Sequence, residues 1–267
     1  MAKLRDKLWI WGQSPNSHYE ENNNHYNFPC QSRMTAAEGA YYLGVSNCCR
    51  VVMDNKPIPP FDQESMALEP LKQVVWSITG SFGSARNNDG WGDLNEVVRQ
   101  AKLYPNLTGA VLDDFFMEKR MQVFTSERLK EIKDKLCIGA ERNLDLWVVL
   151  YEFQLELPVK NHLDNCDVTT FWTWKGSELN NLDKNFEKVK SLTPAKRRLA
   201  GCYMWNYGEK KPLTMDLMKM QCEKYYQWLK KGDIEGIIFC SNCIADMGLD
   251  TVKWTRNWIK EIAEEQI

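Results

Sequence analysis

The chain has 267 residues, of which 43% are hydrophobic and 26% are charged, and its formal net charge at pH 7 is −2. This balance gives no electrostatic case for nucleic acid as a partner, because phosphate backbones are bound by basic surfaces. The clearest basic run, Lys196-Arg-Arg198, is interpreted as a solvated helix end or loop. No apolar stretch approaches the roughly 20 residues of a membrane-spanning helix, so no membrane partner is expected. The charged segment 1–7 lacks the apolar core of a signal peptide, which favours a cytoplasmic protein.

Eight short runs of apolar, β-branched or aromatic residues predict strands. In chain order they are Leu8–Gly12, Cys49–Met53, Val74–Thr79, Leu107–Leu112, Leu146–Tyr151, Val168–Trp172, Leu199–Trp205 and Gly236–Cys240. Most gaps between them have room for a helix, although the fifth gap is short and contains Pro158, which predicts an irregular fifth unit. Alternating strands and helices predict an α/β protein: a single (β/α)8 TIM barrel that spans residues 1–267 as one domain.

Capping residues mark several of the predicted helices. Thr35 and Glu38 have the spacing of a capping box, in which both side chains satisfy free backbone N–H groups at a helix start. Gly44 is placed to end the same helix. A further helix is predicted from Ser126 to about Gly139, another is predicted to end at Gly232, and the last helix is predicted to start at Asp250.

The cysteine and histidine patterns indicate neither a disulfide scaffold nor a metal site. Nine cysteines are scattered along the chain, and Cys240-x-x-Cys243 lacks the second ligand pair of a structural zinc site. The three histidines, His18, His25 and His162, all fall in predicted loops. We therefore expect free thiols and neither a metal nor another cofactor, while a carboxylate-only Mg²⁺ or Ca²⁺ site stays open as an alternative.

Polar side chains follow the C-terminal ends of five predicted strands. Because the βα loops of a TIM barrel form its catalytic face, these side chains are expected to share one rim. They are Gln13, Asp54, Asp113, Asp114, Glu152, Asn206 and Glu209. Carboxylates in such a position are typical of glycoside hydrolysis, in which one protonates the departing oxygen and another attacks or activates water.

Asp113 and Asp114 end the fourth predicted strand side by side. Successive side chains of a regular strand point to opposite faces, so Asp113 shares a face with Gly109 and Val111. The small Gly109 suits the crowded barrel axis, which favours Asp113 as the inward-facing carboxylate. Asp114 would then accept backbone N–H groups of the loops.

Tryptophan residues strengthen the prediction of a sugar ligand. The chain has 11 tryptophans, and flat rings can stack on the C–H face of a pyranose while polar neighbours bond its hydroxyls. Five of them lie in or just after predicted strands: Trp11, Trp76, Trp172, Trp174 and Trp205. His18 belongs to the long loop after the first strand and is a further candidate for substrate binding. The alternative for each ring is an ordinary core position.

Several segments resemble a poorly characterised bacterial family of TIM-barrel proteins that is described as glycoside-hydrolase-like. They are Leu8–Gln13, the pair Thr35 and Glu38 with Tyr42–Asn47, Val75–Gly80 and Tyr104–Phe116. The resemblance covers most of the N-terminal half and implies a barrel. The chain departs from the chitinase-like DxxDxDxE pattern, in which only Asp113 matches and Phe115 stands where the acidic glutamate belongs.

The leading hypothesis is a glycoside hydrolase with a saccharide ligand. Asp113 or Asp114 would be the general acid, and Glu152 or Glu209 would be the partner carboxylate. One alternative is a non-catalytic barrel that binds a saccharide on the tryptophan rings. The other is a divalent-metal-dependent enzyme that acts on a small sugar or acid.

Overall fold

Parallel strands close into a barrel in the computed structural model, which describes residues 2–19, 23–81, 84, 87 and 89–267. Within these residues the eight strands pair in sequence order, and the last strand pairs with the first. They are β1 (Leu8–Gly12), β2 (Asn47–Arg50), β3 (Gln73–Thr79), β4 (Leu107–Leu112), β5 (Asp145–Tyr151), β6 (Val168–Trp172), β7 (Arg197–Tyr203) and β8 (Gly236–Cys240). The predicted (β/α)8 TIM barrel is thus confirmed.

Helices follow the strands and cover the outside of the barrel. In the described residues they are α1 (Ala36–Leu43), α2 (Asp62–Leu68), α3 (Leu94–Leu103), α4 (Glu118–Val123), α5 (Ser126–Ala140), α6 (Lys160–Leu163), α7 (Leu182–Leu192), α8 (Met215–Lys231), α9 (Asn242–Ala245) and α10 (Asp250–Ile262). No helix among these residues is long and apolar enough to cross a bilayer.

Four predicted strands had wrong bounds: β3 and β5 begin one residue earlier than predicted, and β2 and β7 are displaced by two to three residues. The second strand is Asn47–Arg50 rather than Cys49–Met53, because Asn47 is a buried polar residue whose amide donates to the carbonyl oxygens of Asp6 and Leu8. The seventh strand begins at Arg197, so the basic run enters the sheet instead of remaining in a loop. Arg197 forms ion pairs with two acidic side chains at the outer edge, which explains how a charged residue can start this strand.

The helix caps agree largely with the sequence pattern. Thr35 and Glu38 form the predicted capping box, and Gly44 ends α1 with φ 77°. Gly232 ends α8 with φ 76°. One start was misassigned: Thr125, not Ser126, accepts the capping hydrogen bond of α5. This helix runs past Gly139 to Ala140, and Asp250 is the first residue of α10, preceded by the cap position Leu249.

The fifth unit is irregular, as Pro158 indicated. A single 3-10 turn, Glu152–Gln154, follows β5, and α6 has only four residues. Among the described residues, no full-length helix therefore stands between β5 and β6.

Large indole rings face glycines inside the barrel. The Trp9 and Trp147 rings lie 5.0 Å apart between opposite strands. A Cβ atom on Gly236 would lie 3.1 Å from the Trp9 Nε1 atom, and a Cβ atom on Gly201 would overlap the Trp172 ring. These small residues make room for the rings, so the axis is filled by side chains as in other TIM barrels. Open space therefore lies above the rings, at the C-terminal ends of the strands.

Candidate active site

A cavity of about 300 Å³ opens at the C-terminal ends of the strands. Its size falls at the lower end of the range for small-molecule sites. The described residues that line it combine carboxylates, aromatic rings and a few neutral polar groups: Trp11, Gln13, His18, His25, Tyr26, Met53, Asp54, Ser81, Asp113, Asp114, Tyr151, Trp172, Trp174, Tyr203, Tyr207 and Cys240.

Asp113 is a buried carboxyl group at the floor of the cavity. Asp113 is only 2% exposed, and its Oδ1 atom accepts a hydrogen bond of 2.9 Å from the Asp114 backbone N–H. Burial, followed by the negative charge of Asp114, raises the pKa of Asp113 well above its usual value. A carboxyl group in this environment keeps its proton at higher pH than a solvated aspartate does.

Both aspartates line the cavity, although a regular strand would separate them. The strand ends at Leu112, and Asp114 adopts a left-handed backbone conformation with φ 43°. The turn redirects the second side chain toward the same space. Gly109 does face the interior, since a Cβ atom there would lie 3.2 Å from the Trp147 Nε1 atom. Strand alternation therefore predicted that Asp113 faces the interior, but it did not predict the left-handed turn that brings Asp114 to the same cavity.

Tyr151 connects the end of β5 with the aspartate pair. Its hydroxyl group donates a hydrogen bond of 2.8 Å to Asp114 Oδ1. Burial and the negative charge of Asp114 raise the pKa of Tyr151 well above its usual value. The phenol therefore stays protonated and acts as a donor to the Asp114 carboxylate.

Arg120, from α4, forms hydrogen bonds with the backbone at the C-terminal ends of β3 and β4. Its Nη1 atom donates to the carbonyl oxygens of Gly80 (2.7 Å), Asp113 (2.6 Å) and Asp114 (3.2 Å). Its Nη2 atom donates to the Ser81 carbonyl oxygen at 3.0 Å. The guanidinium thus holds the backbone of both strand ends, and its positive charge lowers the pKa of Asp113 less than burial raises it.

Gln13 and His18 form a neutral polar part of the cavity. Burial lowers the pKa of His18 to about 4, so the ring is neutral at pH 7. A distance of 3.2 Å joins Gln13 Nε2 to His18 Nε2, and the amide N–H donates because the neutral ring nitrogen can accept. These groups can recognise the hydroxyl groups of an uncharged ligand.

Aromatic rings form most of the remaining wall. Trp11 packs on Trp172 with ring centroids 5.1 Å apart, and Trp174 stacks on Tyr207 at 5.8 Å with an interplanar angle of 24°. Tyr26 contacts Trp174 edge to face at 5.9 Å. Such rings offer flat apolar surfaces beside the polar floor.

The fold resembles solved structures of other proteins, although the sequence comparisons gave no match. The chain matches no protein-family model and no curated protein. A chitinase domain from Pyrococcus furiosus superposes with a TM-score of 0.59 at 9% identity, covering 98% of this chain and 97% of that chain. A proposed alpha-L-fucosidase from Bacteroides thetaiotaomicron gives 0.59 at 10% identity, with 100% and 98% covered. A proposed 2-pyrone-4,6-dicarboxylic acid hydrolase from Acinetobacter baumannii gives 0.53 at 9% identity, with 97% and 93% covered.

These solved structures share the barrel with this chain and include glycoside hydrolases. At such low identities the likeness shows the fold alone, because one barrel supports many chemistries. The function must therefore be argued from the residues of the cavity.

Glu152 does not line the cavity, in contrast to the prediction that it is a rim carboxylate facing the substrate. Its Oε2 atom accepts a hydrogen bond of 2.9 Å from the Trp174 backbone N–H. Burial raises its pKa, and further backbone N–H groups oppose that rise. The side chain therefore supports the backbone that carries Trp174.

Glu209 and Asn206 also lie outside the cavity lining. The Asn206 side chain accepts hydrogen bonds from the backbone N–H groups of Gly176 (3.0 Å) and Glu209 (3.2 Å). Its amide donates to the Glu209 carboxylate, and this hydrogen bond, with the charge of Lys211, lowers the pKa of Glu209. These residues fasten the loops after β6 and β7 to each other.

Two of the predicted substrate-binding tryptophans lie outside the cavity lining. Trp76 is fully buried and stacks on Phe61 with centroids 4.3 Å apart, because its strand position faces the helices. Trp205 is 2% exposed, and its Nε1 atom donates to the Tyr26 carbonyl oxygen at 3.1 Å. The other predicted residues that line the cavity are Trp11, Gln13, His18, Asp54, Asp113, Asp114, Trp172 and Trp174.

The tyrosines of the cavity were not among the residues predicted from the sequence. Tyr151 and Tyr203 are the last residues of β5 and β7, and Tyr207 follows β7 closely. A count of inward-facing positions could have found the first two, because Tyr151 lies four residues after the inward-facing Trp147. Tyr26 comes from the loop after β1, and no pattern indicated its return to the cavity.

Cys240 also lines the cavity. Burial raises the pKa of the Cys240 thiol, so this cysteine is not an activated nucleophile. Within the described ranges no group of three His, Cys, Asp or Glu side chains is arranged to hold a metal ion.

Proposed function

We propose that the protein is a glycoside hydrolase that acts on a sugar bound in the cavity at the end of the barrel. The observation that carries the proposal is Asp113, a buried carboxyl group of raised pKa beside a second carboxylate and surrounded by aromatic rings. Pairs of carboxyl groups in unlike environments supply the acid and the charged partner of glycoside hydrolysis.

Asp113 is the proposed general acid. Its Oδ1 atom accepts the Asp114 N–H, which leaves Oδ2 to carry the proton. Transfer of this proton to the glycosidic oxygen accompanies cleavage of the bond between that oxygen and the anomeric carbon. Water then adds its oxygen to the anomeric carbon and loses a proton to solvent, and Asp113 is protonated again.

Asp114 is the proposed partner carboxylate, in place of Glu152 and Glu209. Negative charge near the anomeric carbon stabilises the positive charge that develops in the transition state. Tyr151 fixes Oδ1 of Asp114 through its hydroxyl group, and this hydrogen bond orients the carboxylate. Asp54 is the other described carboxylate of the lining and is proposed to bind substrate hydroxyl groups.

The aromatic rings and neutral polar groups are proposed to bind the sugar. Trp11, Trp172 and Trp174 offer apolar faces, while Gln13 and His18 provide hydrogen-bonding atoms without charge. Such a mixture fits a pyranose, which has C–H groups on its faces and hydroxyl groups at its edges.

The test is a cleavage screen of the purified protein against aryl glycosides and oligosaccharides, with Asp113→Asn and Asp114→Asn beside the native chain. Glu209→Gln is the matched control, because it removes a strand-end carboxylate that lies outside the cavity. Cleavage that both aspartate variants lose and the control keeps is the expected result. Full activity in both aspartate variants would reject the assignment.

A non-catalytic saccharide-binding barrel is the second candidate. The observation in its favour is that neither Glu152 nor Glu209 lines the cavity, so two adjacent residues supply the proposed catalytic pair. Binding of a ligand raises the melting temperature by mass action. Stabilisation by a saccharide without cleavage would therefore support the binding protein over the enzyme.

A further inference from the structure

Phe153 is a large apolar side chain that is 60% exposed at the edge of the cavity. Its ring stacks on Tyr151 with centroids 5.2 Å apart and an interplanar angle of 7°. Tyr151 itself lines the cavity. Single exposed apolar residues are common on protein surfaces, but this one is continuous with the wall of a candidate site.

The turn that carries Phe153 is fixed by the residues on both sides of it. Glu152 accepts the Trp174 backbone N–H at 2.9 Å. Gln154 accepts the Tyr151 backbone N–H at 3.0 Å through Oε1, and its Nε2 atom donates to the Phe116 carbonyl oxygen at 3.4 Å. The exposed ring is therefore held in place rather than left on a loose loop.

The stacking leaves one face of the Phe153 ring available. Tyr151 covers the other face, because the two rings are nearly parallel. Tyr151 also lies beside Trp174, another ring of the cavity lining, with ring centroids 6.0 Å apart. A row of three aromatic side chains thus runs from the cavity to the outer surface.

We propose that Phe153 is the platform of a second sugar subsite, which takes the part of an oligosaccharide that extends out of the cavity. The inference rests on the proposed function, since it assumes a saccharide in the cavity. A cavity of about 300 Å³ is small, so a longer chain must leave it across the rim. Phe153 offers no hydrogen-bonding group, and it therefore recognises the apolar face of a sugar ring.

The experiment measures binding by calorimetry for cello-, manno-, malto- and chito-oligosaccharides, from the monosaccharide to the hexasaccharide. The native chain is compared with Phe153→Ala and with Phe153→Trp, which restores a flat ring. Ile138→Ala is the control, because Ile138 is 79% exposed on α5 and does not line the cavity. Asp113→Asn is used as the background wherever cleavage would shorten the ligand.

The expected result is that longer ligands bind more tightly to the native chain and about tenfold more weakly to Phe153→Ala. The shortest bound ligand should be unaffected, and Phe153→Trp should restore the dependence on length. An equal loss for short and long ligands would show that Phe153 only supports Tyr151 and would overturn the subsite. A length dependence that survives Phe153→Ala would overturn it as well.

The subsite and the hydrolase can fail separately. Length-dependent binding that needs Phe153, without any cleavage, keeps the subsite and rejects the enzyme. Cleavage that depends on Asp113 but is indifferent to Phe153 keeps the enzyme and rejects the subsite. Absence of binding across all ladders contradicts both.

Discussion

Carboxylates follow both β4 and β7, yet the surroundings of these carboxylates differ in kind. Asp113, after β4, is buried at the cavity floor, and its pKa is raised. Glu209, after β7, is partly exposed, bonded to Asn206, and its pKa is lowered. A carboxylate at a strand end therefore becomes a candidate acid through burial and neighbouring negative charge, not through its position alone.

Glu152 lies between these two cases. Burial raises its pKa as it does for Asp113, but Glu152 lies outside the cavity lining and its Oε2 atom accepts the Trp174 backbone N–H. The raised pKa accompanies a structural hydrogen bond in this residue. The comparison shows why a shifted pKa needs a cavity beside it before a catalytic role is proposed.

The largest expected effect separates Asp113 from Glu209 in activity. Asp113→Asn removes the proton donor and should reduce turnover about 10²- to 10⁴-fold, the usual range for general acid catalysis. Glu209→Gln should change turnover little, because its side chain does not line the cavity. Steady-state rates on the substrate found by the cleavage screen measure both, and circular dichroism checks that each variant is folded. Similar losses in the two variants would remove the distinction between the two strand ends.

A second expected effect is on the pH dependence of stability. The folded pKa of Asp113 lies above its unfolded value, so its contribution is complete below about pH 4 and is lost as the pH rises through the folded pKa. Asp113→Asn cannot ionise, so it should gain stability relative to the native chain across that window. The free energy of unfolding of Asp113→Asn should exceed that of the native chain by about 1.4 kcal/mol for each unit by which the pKa of Asp113 is raised. Denaturant unfolding at several pH values measures it, and a constant difference would contradict the raised pKa.

A third effect tests whether Glu152 positions Trp174. Glu152→Ala leaves the Trp174 N–H without its acceptor, and it should raise KM about tenfold while kcat changes less. Glu152→Gln keeps an acceptor oxygen and should restore most of the affinity. Saccharide binding and steady-state kinetics measure the two variants. A kcat that falls like that of Asp113→Asn would instead identify Glu152 as a catalytic group.

The smallest effect is expected for the stability of Glu209→Gln. Lys211 Nζ lies 3.7 Å from Glu209 Oε2, and the Lys211 side chain is 61% exposed. Ion pairs this exposed contribute at most about 1 kcal/mol to the free energy of unfolding. Because Gln can still accept from Asn206, the loss in unfolding free energy should stay below this value. A loss of several kcal/mol in denaturant unfolding would mean that the loop fastening is a major part of the fold's stability.

The sequence predicted the barrel well because buried parallel strands read as continuous apolar runs. The bounds of β1, β4, β6 and β8 were predicted correctly. All four strands that differed begin with polar residues: Gln73 and Asp145 lie one residue before the predicted start, and Asn47 and Arg197 lie two residues before it. The partners of Asn47 and Arg197 are distant in the chain. Local apolar patterning cannot reveal such partners.

The candidate site was less predictable than the fold. Strand alternation placed Asp113 correctly on the inner face, but the left-handed turn at Asp114 breaks the alternation. Whether a loop carboxylate such as Glu152 or Glu209 faces the cavity depends on backbone N–H groups from the next loop. Those contacts exist only after the barrel has closed.

A carbon-13 NMR titration of the side-chain carboxyl groups tests most directly whether Asp113 can be the proton donor, with Asp113→Asn and Glu209→Gln used to assign the two signals. Asp113 is expected to titrate well above the ordinary aspartate pKa of about 3.9, and Glu209 below the ordinary glutamate pKa of about 4.3. An Asp113 signal that titrates at or below its ordinary value would contradict the proposed proton donor.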